Sequence, residues 1–409
     1  MSSVCLYFKI HQPYRLKEYQ ANEIEINHSY EDGVADEVAV NQAADNCYIP
    51  ANTILLSLIK KFSGAFKISF SISGTTLELL QRYRPDVIEL FKQLTATGCV
   101  EILAETYYHS LSSLHSKKEF HRQVEMHTAL VKETLNTTPA VFRNTELIHN
   151  NDLAIQVAGM GFKGMLCEGI ERILQDRTVN RLYASPDNGD FGLLLRNVRL
   201  SDDIAFRFDD EQWNEYPLTA QKFAEWLGTH PADTEVINLF LDYETFGIHK
   251  KPGSGIFQFL EELPAAVLKN TSLCFKTPAE ALEENYPKDM YDVSQTISWE
   301  DKSRENCVWT ENVMQNNTLK KIYSIENMVM NSDDENLQHM WGRLQAADYF
   351  YYMADEQSKT DHWKYLNPYQ SPKEAWQYYT NIITDLEITL IRNELKKGKK
   401  KSRSMAILY

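Results

Sequence analysis

Two carboxylates that end separate apolar runs are the residues of this chain best suited to chemistry. Ala140-Val-Phe leads into Arg143, Asn144 and Glu146, and Val236-Ile-Asn-Leu-Phe-Leu ends in Asp242 and Glu244, followed by Gly247 and His249. Glycoside hydrolysis needs such a pair: one acid protonates the leaving oxygen and one carboxylate attacks or activates water. If the strand continues through them, Asp242 and Glu244 share a face about 6.8 Å apart and look into the same mouth. Tryptophans and tyrosines suit sugar stacking, and His11, Glu101, Asp301 and Arg304 could contact hydroxyls. A divalent metal is the competing chemistry, since His and Asp at strand ends also build hydrolase sites such as those of polysaccharide deacetylases. The chain has no His-x-His and no Asp-Asp pair leading its first strand, so no metal ligand and no cofactor is assigned.

These residues must be positioned by an alternating framework. Residues 4–10 read as a strand that delivers His11, Gln12 and Pro13, the proline stopping the strand and fixing the loop. Strand-like runs recur at 66–71, 99–105, 140–142, 163–167, 193–200 and 236–241. Helical spacing fills 49–62, 76–83, 85–97, 116–135 and 219–228. In the third run Glu101, Leu103 and Glu105 share one face. About seven strands with polar ends predict an α/β barrel whose site lies at the strand C-terminal face. Residues 22–46 are polar and acidic and read as an irregular excursion. Beyond 291 long helical patterns with short connections predict a small bundle, with Ser371 and Pro372 opening its last helix. The expected organisation is a catalytic domain at 1–290, a helical bundle at 291–395 and a basic tail at 396–409.

The 409 residues are 43% hydrophobic, enough for a large core, and carry a net charge of -15. That balance excludes the basic surface a nucleic-acid partner requires. No apolar run approaches the roughly 18 residues that cross a bilayer, and the N-terminus lacks a signal-peptide pattern, so no membrane partner and a cytoplasmic location are expected. The six cysteines are scattered with no Cys-x-x-Cys, which signals neither zinc nor a disulfide framework.

Taken in order, five stretches resemble glycoside hydrolase family 57, specifically its α-amylase group. They are His11-Gln-Pro13, Val100-Glu-Ile-Leu-Ala-Glu-Thr-Tyr-Tyr-His-Ser-Leu111, Phe142-Arg-Asn-Thr-Glu146, Leu241-Asp-Tyr-Glu-Thr-Phe-Gly247 and Ser298-Trp299 through Trp309. The resemblance implies an incomplete (β/α)7 barrel followed by a C-terminal helical bundle that contributes to the site. It also implies a retaining mechanism on an α-glucan or maltooligosaccharide, with Glu146 as nucleophile and Asp242 as general acid/base. Asp242 should then need a raised pKa while it acts as acid. His11, Gln12, Glu101, His109, Trp299, Asp301 and Trp309 resemble substrate-contacting positions. Ile248-His249-Lys250-Lys251 departs from the family pattern, which continues with Glu-His, Gln and Trp, and the departure touches subsites more than the two carboxylates. A glucan-binding protein that keeps both carboxylates is the alternative reading.

Overall fold

The computed structural model describes residues 1–231, 233–299, 308–355 and 367–406, with side chains described to residue 396. The chain divides into two compact units. One comprises residues 1–12, 37–107 and 121–299, and the other residues 13–36, 108–120 and 300–409.

The first unit is built on β1 (Ser2–Ile10), β2 (Ile68–Ile72), β3 (Val100–Ile102), β4 (Val141–Arg143), β5 (Gly164–Glu168), β6 (Leu182–Ser185), β7 (Asn188–Arg196), β8 (Val236–Asp242), β9 (Leu273–Phe275) and β10 (Asp289–Met290). Parallel ladders join β8 to β1, β1 to β2, β2 to β3, β4 to β5 and β5 to β7. Two short links close the circle. Ala104 bridges to Phe142 between β3 and β4, and Arg196 pairs with Asn238 between β7 and β8. The result is a seven-stranded parallel barrel, with β6 antiparallel on β7 and β9 and β10 outside the ring.

Strand alternation sorts the side chains. Cys5, Tyr7, Leu103, Val141, Leu166, Leu194, Val236 and Phe240 belong to one buried apolar cluster, which is the filling of the barrel. Residues two positions further along each strand therefore face inward one layer higher.

The seam between β7 and β8 is unlike the others. After one ladder pairing the chain turns into the helix Val198–Ala205, so β8 loses its strand neighbour. The Ser201 hydroxyl then accepts from the Phe240 amide at 3.2 Å, and Arg196 Nε donates to the Phe240 carbonyl at 3.2 Å. The expectation of strand through residue 200 fails here, because the Asn197 side chain caps the helix by accepting from the Leu200 amide. β7 also begins earlier than the run read from the sequence, at Asn188.

The second unit contains the helices Val313–Ser324, Glu335–Arg343, Ala347–Tyr352 and Pro372–Ala406, and buried Trp341 ties the second of these to the first, its Nε1 donating to the Ile322 carbonyl at 2.8 Å. Segment 22–46 is not wholly irregular, because it contains the helix Gly33–Ala43. Its earlier part is tied down: buried Asp385 accepts from the Glu25 amide and the Tyr30 hydroxyl and meets His28 Nδ1, each at 2.6 Å. The last helix runs on through most of the basic stretch, consistent with the helix propensity of lysine and with cations at a helix C-terminus. Among the described residues no helix is long and apolar enough to cross a membrane.

Candidate active site

The inward layer above the apolar filling is charged. Following the inner face upward gives Lys9 on β1, Glu105 beyond β3, Arg143 on β4, Glu168 on β5, Arg196 on β7 and Asp242 on β8. Read round the barrel, with the Ser71 of β2 between Lys9 and Glu105, the signs alternate. Arg196 meets buried Glu168 at 3.2 Å, and Lys9 meets Asp242 at 3.1 Å. Arg143 is buried, its Nε and Nη1 have no hydrogen-bond partner among the described residues, and it lies in the field of Tyr7, Glu146, Glu105 and Asp242.

Glu146 enters this layer from the turn that follows β4. Glu146 and Leu147 both take left-handed backbone, with φ of 51° and 50°. Non-glycine residues held there cost about 1–3 kcal/mol each and cluster at functional sites. The surroundings enforce the turn: the Asn144 amide group donates to the Ile148 carbonyl at 2.9 Å, and His149 and Ile297 exchange backbone bonds at 3.0 Å. That pairing brings up Trp299, whose Nε1 donates to Glu146 Oε2 at 2.5 Å.

Lys9 joins the two carboxylates. Its Nζ lies 3.4 Å from Glu146 Oε1 and 3.1 Å from Asp242 Oδ1, with side chains only 14%, 9% and 26% exposed. Burial disfavours the ammonium, but the charges of Asp242 and Glu146 outweigh it and raise the Lys9 pKa, so the group stays cationic.

Glu244 does not join Asp242. The strand ends at Asp242 and the chain enters the turn Tyr243–Thr245, which removes the expected shared face. Glu244 Oε1 accepts instead from the Tyr48 hydroxyl at 2.5 Å and from Gln12 Nε2 at 3.3 Å. Burial pushes its pKa up to about 7, the Tyr48 bond opposing and the Asp242 charge adding to the rise. Gly247 closes this loop at φ +105°, and a Cβ there would sit 1.9 Å from the Asn46 carbonyl oxygen.

Other expected residues are placed as follows. His11 Nδ1 meets the Ser73 hydroxyl at 2.8 Å, and the Gln12 amide donates to Thr76 Oγ1 at 2.7 Å, which fixes the end of β1. Glu101 lies on β3, paired with Ser69 of β2. There its Oε2 accepts from the Ala279 amide at 2.9 Å and burial raises its pKa to about 7. His109 and Trp309 belong to the second unit, where each is buried. Asp301 and Arg304 lie outside the described residues. Lys9 was not singled out from the sequence, although its position two before His11 puts both on one strand face. Among the described residues no group of three or more His, Cys, Asp or Glu is arranged to hold a metal ion.

The sequence pattern described as Glycosyl hydrolase family 57 matches residues 5–294. A curated protein of Methanocaldococcus jannaschii, whose name provisionally makes it an alpha-amylase, is 41% identical over 360 residues, covering 85% of this chain and 76% of the relative. Solved structures share the fold at low identity. The branching enzyme of Thermococcus kodakaraensis matches with a TM-score of 0.68 at 13% identity, covering 96% of this chain and 91% of that one. The 4-alpha-glucanotransferase of Thermococcus litoralis matches with a TM-score of 0.67 at 17% identity, covering 86% of this chain, which spans only 56% of that enzyme's length.

Proposed function

Because the chain belongs to glycosyl hydrolase family 57, we propose that it is a retaining glycoside hydrolase or transglycosylase acting on α-1,4-linked glucans, with Glu146 as nucleophile and Asp242 as general acid/base. One observation carries the assignment of residues: both carboxylates contact the same ammonium, Lys9 Nζ, at the barrel mouth. Glu146 Oε1 and Asp242 Oδ1 can be no farther apart than those two contacts laid end to end. That limit falls at the bottom edge of the inverting range, roughly 6.5–9.5 Å, and admits the about 5–5.5 Å of a retaining pair.

In the first step a Glu146 oxygen bonds to the anomeric carbon as the glycosidic C–O bond breaks, and the Asp242 proton goes to the leaving oxygen. In the second, Asp242 takes a proton from water or a sugar hydroxyl as that oxygen displaces Glu146. The names of the relatives, an amylase, a branching enzyme and a glucanotransferase, favour an α-glucan substrate. His11, Gln12 and Trp299 are proposed to line the sugar-binding surface. His109, Asp301 and Trp309 are carried as substrate contacts by motif resemblance alone, and alanine substitution tests each. A cytoplasmic setting suits the five free cysteines among the described residues.

The test is product analysis after incubation with maltoheptaose, beside Glu146→Gln and Asp242→Asn. Shortened or redistributed maltooligosaccharides from the wild type, with both variants down by about a thousandfold or more, support the reading. A wild type that binds maltoheptaose without turnover overturns it and promotes a glucan-binding protein.

A further inference from the structure

An ammonium placed between a nucleophile and an acid/base has consequences for both. A retaining pair must present one ionised and one protonated carboxyl at the same pH. Two carboxylates this close repel, and without a cation the pKa of one rises strongly. Lys9 occupies the gap with its ammonium on both carboxylates, and its backbone is fixed because β1 is paired on both sides at this level, Lys9 with Asp242 on β8 and with Ser71 on β2.

We propose that Lys9 is a positioning residue for the reaction: its single ammonium holds Glu146 and Asp242 at a fixed separation and sets the pH range in which the pair works. This rests on the glycosidase reading of Glu146 and Asp242. The groups facing Lys9 are Asp242 on β8, Glu146 beyond β4 and Arg143 on β4, with Glu244 within electrostatic range and Tyr7 below it on its own strand. Both anions directly on Lys9 gain from its charge, so Lys9 favours the ionised form of each and moves both limbs of the activity profile to lower pH. Arg143 acts in the same direction on Glu146 and Asp242.

The arrangement also follows the reaction. When Glu146 forms the glycosyl ester it loses its negative charge, and the ammonium then bears on Asp242 alone. Asp242 is thereby held as carboxylate at the step in which it must accept a proton. When the ester is displaced, the charge returns to Glu146 and the field on Asp242 weakens, so it can carry a proton again.

The experiment is the pH dependence of kcat/KM on maltoheptaose from pH 4 to 9 for the full chain, in wild type, Lys9→Met and Lys9→Arg. Removing an opposite charge at this distance should shift both limbs of Lys9→Met upward by about one pH unit or more. kcat should fall at least about tenfold while KM changes by less than about threefold, and Lys9→Arg should restore the limbs toward wild type. A folded Lys9→Met whose profile is merely scaled down, with both limbs in place, overturns the proposal. Should that variant not fold, Lys9→Gln gives the same test with a donor but no charge. Absence of wild-type turnover overturns the glycosidase reading itself, whereas an active wild type with inactive Glu146→Gln and unmoved limbs in Lys9→Met overturns only the role of Lys9.

Discussion

Asp242 and Glu244 are two residues apart in sequence and bound to different partners: Asp242 lies 3.1 Å from Lys9 Nζ, while Glu244 accepts from the Tyr48 hydroxyl at 2.5 Å. The first is at the barrel mouth with a cation, and the second is buried among neutral donors.

Glu244 has a folded-state pKa of about 7 against an ordinary value of 4.5. The folded chain holds a proton that the unfolded chain releases, so this contribution to stability is full below about pH 4.5 and is lost as pH rises through about 7. Glutamine keeps the oxygen that accepts from Tyr48 and Gln12. Glu244→Gln should melt within a degree or two of wild type at pH 5 and above it at pH 8. Equal differences at both values, by scanning calorimetry, would contradict the buried neutral carboxyl.

Trp299 donates to the Glu146 oxygen that Lys9 does not touch. Hydrogen bonds to charged groups contribute about 1.5–3 kcal/mol, so Trp299→Phe should lower kcat/KM on maltoheptaose by about ten- to a hundredfold. The ring is largely preserved, and the melting temperature should hardly change. An unaltered kcat/KM would remove Trp299 from the support of the nucleophile.

Glu101 is held away from solvent by burial and by a backbone donor. Its Oε2 holds the Ala279 amide, a contact glutamine can keep. Glu101→Gln should keep kcat/KM within about twofold of wild type, whereas a loss of tenfold or more would return Glu101 to the substrate site.

Arg196 meets Glu168, which is fully buried, and also Asp202. Removing one partner of a buried pair leaves the other charge uncompensated, at about 3–5 kcal/mol. Arg196→Met should lose that much stability by urea unfolding, and adding Glu168→Gln should recover part of it. A single variant as stable as wild type would show that the seam carries the charge some other way.

The barrel was legible because buried parallel strands separated by helices leave strand-then-helix spacing in the sequence, and Glu146 and Asp242 were legible because each interrupts an apolar run. What was lost depended on where a strand begins and ends. Glu101 and Glu105 share a face, and only the short β3, Val100–Ile102, tells which of them reaches the mouth. Glu244 was read as a continuation of β8, but the strand stops one residue after Leu241. Lys9 was hidden by its setting, since a lysine inside an apolar strand carries no local mark of its partners. Those partners come from positions 146 and 242, and nothing short of the closed ring brings them together.

The seam at Phe240 gives the barrel a latch. At the five laddered seams of the ring, parting two strands at mid-height breaks backbone ladder. Between β7 and β8 above Asn238 it breaks one bond to a serine hydroxyl and one from an arginine side chain. The ring is in this sense a curved ribbon fastened by side chains, and the fastener stands two residues below Asp242 on the same strand. Breathing of the barrel would therefore begin beside the acid/base, and the Phe240 amide would be the first of the β8 amides to exchange with solvent.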